Sequence, residues 1–107
     1  MERIYNITAA VDTDIALQWA KLAGTAFLPA LREVPGVKAV ELIEVETPAE
    51  VETDGTRTYT VQIRFAGQEA LDAFLGETER EAERALFERF GTRYVTFRLT
   101  LRSLLRV

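Results

Sequence analysis

Six side chains carry hydrogen-bonding chemistry at a spacing that can gather them: Asn6 and Thr8, Gln62 and Arg64, Thr96 and Arg98. Each pair is two residues apart, and residues two apart in an extended strand share a face. The amides and hydroxyls both donate and accept, and Arg98 offers a rigid fork matched to a carboxylate or phosphate. On neighbouring strands these groups predict a site for a small polar or anionic molecule, with Arg98, Asn6 and Gln62 nearest to it. The competing reading is structural. Buried polar groups usually satisfy one another, so the same residues would bond each other, water, or Glu44 and Glu46 across a subunit interface.

Other chemistries are excluded outright. Among 107 residues there is no histidine and no cysteine, which removes disulfides, cysteine nucleophiles, thiolate or imidazole metal sites and histidine triads. No phosphate-cradling glycine loop, nucleophile elbow or dinucleotide fingerprint occurs. We therefore assign no catalytic residue, no metal and no cofactor. Trp19 with Tyr5, Tyr59 and Tyr94 would suit an aromatic substrate, but Trp19 falls on a helical core stripe, and Tyr5 and Tyr59 alternate with polar strand positions. Aromatics at such spacing read as core. The run Glu77-Thr78-Glu79-Arg80-Glu81-Ala82-Glu83-Arg84 reads as a solvated helix face, with like charges at Glu77/Glu81 and Glu79/Glu83 offset by Glu77–Arg80 and Glu81–Arg84. Asp54-Gly55, in an acidic stretch with Glu46, Glu50 and Glu52, reads as a hairpin tip between Thr47 and Thr56.

Thirteen basic against seventeen acidic residues give a net charge of −4. A nucleic-acid binder needs a basic patch, and the third strand offers Thr60, Gln62 and Arg64 where RNA-recognition modules of the same element order present aromatics. No polybasic run, signal peptide or apolar segment of membrane-spanning length occurs. The expectation is a soluble cytoplasmic protein without nucleic-acid or membrane partners.

The elements that must position these groups follow from periodicity. Residues 3–11 alternate, with Tyr5, Ile7, Ala9 and Val11 opposite Ile4, Asn6, Thr8 and Ala10. Asp12-Thr13-Asp14 offers a helix N-cap. Residues 13–33 read as a helix on Ile15, Trp19, Leu22, Ala23, Ala26, Phe27, Ala30 and Leu31, with a kink expected before Pro29. A strand over 37–46 sets Ala39, Ile43 and Val45 against Val40 and Leu42, and a third strand fills 57–66. A second helix over 68–90 should bend at Gly76. In the last strand, 93–105, Val95, Phe97, Leu99 and Leu101 oppose Tyr94, Thr96, Arg98, Thr100 and Arg102.

The order strand-helix-strand-strand-helix-strand with right-handed crossovers predicts one α+β domain over residues 1–107 of the ferredoxin-like βαββαβ kind. Its four-stranded antiparallel sheet would have strands one and three at the centre and both helices on one face. Tyr5, Ile7, Val61, Ile63, Val95, Phe97 and Leu99 should meet the helices. The other face would then carry the six polar residues together with Ile4, Val40 and Leu42. Apolar groups on an open face call for a cover, and a second copy stacked sheet to sheet would supply it, making a homodimeric α+β barrel.

Tyr5-Asn6-Ile7-Thr8, the Trp19 helix, Leu28-Pro29, Tyr59-Thr60-Val61-Gln62, Arg89-Phe90-Gly91 and Val95-Thr96-Phe97-Arg98, in this order, resemble a small bacterial family known as domain of unknown function 4286. The resemblance spans nearly the whole chain and implies a stand-alone domain of the ferredoxin-like, dimeric-barrel type with no established activity. It implies a histidine two residues before the helix proline in many members, where this chain has Phe27. Dimeric barrels more broadly include cofactor-free monooxygenases, haem enzymes and small-ligand sensors, a likeness of fold alone. The leading expectation is a homodimeric binding or interaction domain, more a binder than an enzyme. The alternatives are a cofactor-independent oxygenase using Trp19, Asn6 and a tyrosine, and a sensor of the amino-acid-binding ACT type.

Overall fold

The structure is a computed structural model that describes residues 1–46 and 55–107. The acidic stretch with Glu50, Glu52 and Asp54 lies outside the described residues. Strand β1 spans Arg3–Asp12, β2 Val37–Glu44, β3 Thr56–Phe65 and β4 Tyr94–Arg102. Helices α1 (Ala16–Leu22) and α2 (Leu28–Arg32) form the first crossover, and α3 (Gln68–Phe74) and α4 (Glu77–Phe90) the second. The sheet is antiparallel in the order β2-β3-β1-β4, as the ferredoxin-like reading requires.

Local chemistry sets the breaks. Pro29 cannot donate a backbone bond and its ring crowds the turn before it. The helix absorbs this in a π turn over Ala23–Phe27, where the Leu28 amide reaches back to the Ala23 carbonyl. Gly76 does more than bend the second helix. Leu75 turns extended and Gly76 takes φ +92°, so α3 stops and α4 restarts. Asp12 is positioned as the N-cap but makes no capping bond. Asp12 and Asp14 instead clamp Arg93 at 2.6 and 2.5 Å, tying the end of β1 to the start of β4.

The core lies between the helices and one sheet face. Tyr5, Ile7, Ala9 and Val11 of β1 and Tyr59, Val61, Ile63 and Phe65 of β3 bury against Trp19, Phe27, Leu31, Leu71, Phe74 and Leu86. Gly36, at φ +85°, turns α2 into β2 with its α-carbon hard against Ala70, where a Cβ would collide with the alanine methyl. Gly36→Ala should therefore cost about 2 kcal/mol, from left-handed strain plus the displaced α3. Gly76→Ala, at a similar φ but facing open space, should cost only the strain. Urea unfolding of the two variants checks the difference.

The two outer strands lie in the opposite phase to that expected. In β2 a bulge between Val37 and Ala39 inserts Lys38, so Val40 and Leu42 pack on the helix side while Ala39 and Ile43 face outward with Arg64 and Thr60. In β4, Tyr94, Arg98 and Thr100 are level with the helix-facing Val11, Ile7 and Tyr5, and Thr96 with the helix-facing Ala9. Val95, Phe97, Leu99 and Leu101 consequently stand on the open face. The open face is thus apolar through residues other than the anticipated Val40 and Leu42, although Ile4 keeps its place there.

Candidate functional site

The open face reads as a grid because the register is unbroken from β1 to both neighbours. Across the sheet from β2 to β4, one row is Ile43, Thr60, Thr8 and Phe97, and the next is Glu41, Gln62, Asn6 and Leu99. A third is Ala39, Arg64, Ile4 and Leu101. Apart from Ile4, polar groups fill the two central strands in these rows, and apolar ones fill the β4 column. Asn6 is 9% exposed although it lies on the open side. Its amide donates to Thr8 Oγ1 at 3.1 Å, and Gln62 Nε2 donates to Asn6 Oδ1 at 3.2 Å. Arg64 Nη1 donates to Glu2 Oε1 at 3.3 Å. Four of the six anticipated site residues, Asn6, Thr8, Gln62 and Arg64, therefore lie together.

Thr96 and Arg98 do not join them. The β4 phase turns both to the helix side, where Arg98 reaches the carboxylates of α4. Its Nε donates to Glu79 Oε2 at 2.7 Å, its Nη2 to Glu83 Oε1 at 2.6 Å, and its Nη1 to Thr96 Oγ1. Two phenols complete the network: Tyr5 Oη donates to Glu79 Oε2 and Tyr94 Oη to Glu83 Oε2, each at 2.7 Å. Glu79 and Glu83 are only 12% and 17% exposed, so that side of the charged run is not solvated. Its outer side is, with a Glu81–Arg84 pair at 2.5 Å. Their place on the stripe of Leu86 and Phe90, at spacings of four and three, was the sequence signal for this network: a carboxylate on a core stripe needs a cation or donor opposite.

The electrostatics follow. Burial and then the bond to Glu79 push the Tyr5 phenol well above its usual range, and burial and then Glu83 do the same to Tyr94. Burial pulls Arg98 down, but the bond to Glu79 and the charges of Glu83 and Glu79 outweigh it and hold the guanidinium protonated. A phenol whose folded value is raised keeps its proton after the unfolded chain, near pH 10, has lost its own. Stability from Tyr5 and Tyr94 is thus full below pH 10 and falls as pH rises beyond it. Urea midpoints measured between pH 8 and 11 should fall steeply above 10, and the Tyr5→Phe, Tyr94→Phe double variant should flatten that fall.

Beside this network Trp19 stacks on Tyr59 at 5.3 Å between ring centroids and tilts against Tyr94 at 5.6 Å. Its Nε1 is buried without a hydrogen-bond partner. Among the described residues no cluster of three or more acidic side chains is placed to hold a metal ion, and no helix is long and apolar enough to cross a membrane.

Solved structures share this fold. A dimeric ferredoxin-like protein from an uncultured marine organism matches with a TM-score of 0.70 at 12% identity, over 99% of this chain and 98% of its own. An EthD family protein from Bacillus halodurans matches with a TM-score of 0.70 at 10% identity, over 95% of this chain and 99% of its own. SnoaB, a cofactor-independent oxygenase from Streptomyces nogalater, matches with a TM-score of 0.65 at 9% identity, over 98% and 96%. At these identities the likeness extends to the fold and no further. No curated protein matches the chain. The family model of the domain of unknown function DUF4286 covers residues 2–104, and the chain belongs to that family.

Proposed function

We propose that the chain is a homodimeric binding domain, two copies closing a barrel across their open sheet faces around a polar interior. The observation that carries this is the β4 stripe: Val95, Phe97 and Leu99 are 55%, 65% and 61% exposed on a regular strand beside a nearly buried amide. Contiguous apolar surface of this kind marks an interaction site. A sheet of four strands about 4.8 Å apart and nine residues long offers a plane of roughly 19 by 30 Å, which with side-chain relief approaches the area of a standard interface. The dimeric ferredoxin-like neighbour is in keeping with it.

The ligand of this reading is small, neutral and polar. Asn6, Thr8 and Gln62 would line its site with Arg64 at the edge. An anion is disfavoured because Arg98 is spent on Glu79 and Glu83 and Arg64 is paired with Glu2. Light scattering at micromolar concentration should return twice the chain mass; a monomer would overturn the proposal. A thermal-shift series of simple amides and of carboxylates should move the melting point only with the amides. A shift with carboxylates alone would restore the anionic reading.

One observation favours a second reading. Trp19 packs against the Tyr94 ring and its buried Nε1 has no hydrogen-bond partner, a donor that an aromatic substrate could use, and SnoaB has this fold. In that reading Trp19 and Tyr94 would orient a phenolic substrate for reaction with oxygen, on the helix side of the sheet and away from Asn6. Oxygen uptake with phenolic substrates tests it, and no uptake ends it.

A further inference from the structure

The helix side of the sheet holds three touching aromatic rings whose polar ends differ in what they can do with a proton. Trp19, the single tryptophan, is 1% exposed. Its ring touches two phenol rings, Tyr59 of β3 at 5.3 Å and Tyr94 of β4 at 5.6 Å between centroids. The Tyr94 hydroxyl donates to Glu83 Oε2 at 2.7 Å, whereas the Tyr59 hydroxyl reaches only the Ala16 carbonyl, at 3.4 Å. We infer that Trp19, Tyr94 and Glu83 form a one-electron relay. An electron vacancy created on Trp19 is filled from Tyr94 while the phenol proton passes to Glu83. The relay does not depend on the homodimer reading, because Tyr94 is level with the helix-facing Val11, on the far side of the sheet from the open face.

An oxidised indole ordinarily settles by shedding its ring N–H proton. Trp19 Nε1 is buried without a hydrogen-bond partner, so no base takes that proton and the radical stays a cation, its more strongly oxidising form. Relief comes from an electron of a touching ring. A phenol gives one up readily only when its proton leaves too, because an oxidised phenol that keeps its proton is a very strong acid. Proton transfer needs a base within about 2.6–3.2 Å, and Glu83 is that base for Tyr94. A peptide carbonyl accepts a hydrogen bond but takes no proton at neutral pH, so Ala16 cannot serve Tyr59. Stacking alone would favour Tyr59, whose ring lies 24° from parallel to the indole against 59° for Tyr94. The proton acceptor reverses that order.

Electrons and atoms balance. The indole cation radical gains one electron and returns to neutral Trp19. Tyr94 loses one electron and its hydroxyl proton and becomes a neutral tyrosyl radical. Its O–H bond breaks and a carboxyl O–H bond forms on Glu83. Glu79 and Glu83 share the single guanidinium of Arg98, so the proton arrives at a cluster with one negative charge in excess. Neutralising Glu83 leaves Arg98 paired with Glu79, one cation to one anion. The oxidant that starts the cycle is a one-electron radical of the carbonate or peroxyl class. A soluble one-electron reductant of the ascorbate class then returns the electron to Tyr94, and Glu83 returns the proton. The activity is the draining of oxidising equivalents from the core toward the α4 side of the sheet.

Laser photoionisation of the single tryptophan creates the vacancy in place, and transient absorption follows the indole and phenoxyl radicals separately. In the unsubstituted chain the phenoxyl signal should grow as the indole signal decays. The transfer should be slower in heavy water, because a proton moves with the electron. Tyr94→Phe should abolish it, and Tyr59→Phe should leave it unchanged. Glu83→Gln keeps an acceptor oxygen for the phenol and removes the base, so it should slow the transfer by about a hundredfold, the lower end of what a positioned base contributes. Circular dichroism checks that each variant is folded. A phenoxyl signal that survives Tyr94→Phe and vanishes in Tyr59→Phe would overturn the inference. So would full speed in Glu83→Gln, equal rates in ordinary and heavy water, or an indole radical that persists in the unsubstituted chain. The last two outcomes need no variant and decide the matter even where a substitution disturbs folding.

Discussion

Phe97→Glu should convert the dimer to a monomer without unfolding the chain. The side chain is 65% exposed in the single copy, so replacing it removes little intrachain packing and should change the fold's own stability by about 0.5 kcal/mol. In the dimer it is enclosed twice, once per copy. Burying a phenylalanine is worth about 2 kcal/mol, so the loss is about 4 kcal/mol per dimer, close to a thousandfold in the dissociation constant. The carboxylate adds its own desolvation cost. The matched control is Phe87→Glu. Phe87 is equally exposed, at 63%, but lies on the outer side of α4, so that variant should stay dimeric. Light scattering and far-ultraviolet circular dichroism on the pair read the result. If Phe97→Glu keeps the doubled mass, the open sheet face is not the interface. The variant also tests the ligand reading: a lumen made by two copies should lose its amide-dependent thermal shift together with the dimer.

Period-two and period-3.6 patterning made the element order, the central position of β1 and β3 and the Pro29 irregularity legible in the sequence. Alternation says that the two faces of a strand differ. It does not say which face meets the helices. For β1 and β3 the choice is unambiguous, because one face is apolar and the other carries hydroxyls and amides. In β4 both faces have a claim. Tyr94 and Arg98 are amphipathic, and their polar tips find Glu83 and Glu79 on α4, so burying them leaves nothing unpaired. The apolar β4 residues then remain outside, where only a further surface can cover them. In β2 one inserted residue at Lys38 reverses the phase, and a bulge at an edge has no strong mark in composition. Asn6, Thr8, Gln62 and Arg64 were therefore readable as one group, whereas Thr96 and Arg98 could be placed only once the β4–β1 register was known.

That reassignment of Arg98 has its own large consequence. Arg98→Met should destabilise the fold by about 3 kcal/mol, because it leaves Glu79 and Glu83, both mostly buried, with no cation between them. The value sits at the low end for a broken buried pair since Arg98 itself is about a third exposed (31%), where solvent screens part of the interaction. For a domain of this size that is a fall of roughly 15 °C in melting temperature. Simple loss of packing is excluded by the choice of methionine, which keeps an unbranched aliphatic stem at the position level with Ile7. Adding Glu79→Gln and Glu83→Gln should restore most of the loss, since an uncharged amide oxygen still accepts the phenol protons of Tyr5 and Tyr94 and no buried charge remains. The dimer should survive the single change at low temperature, because Arg98 points away from the face that meets the partner. An arginine reserved for an anionic ligand would behave in the opposite way: Arg98→Met would leave the melting temperature nearly unchanged and abolish the ligand's shift. A fall of less than about 1 kcal/mol, or no recovery in the triple variant, would mean that the guanidinium is not what holds the two glutamates under α4.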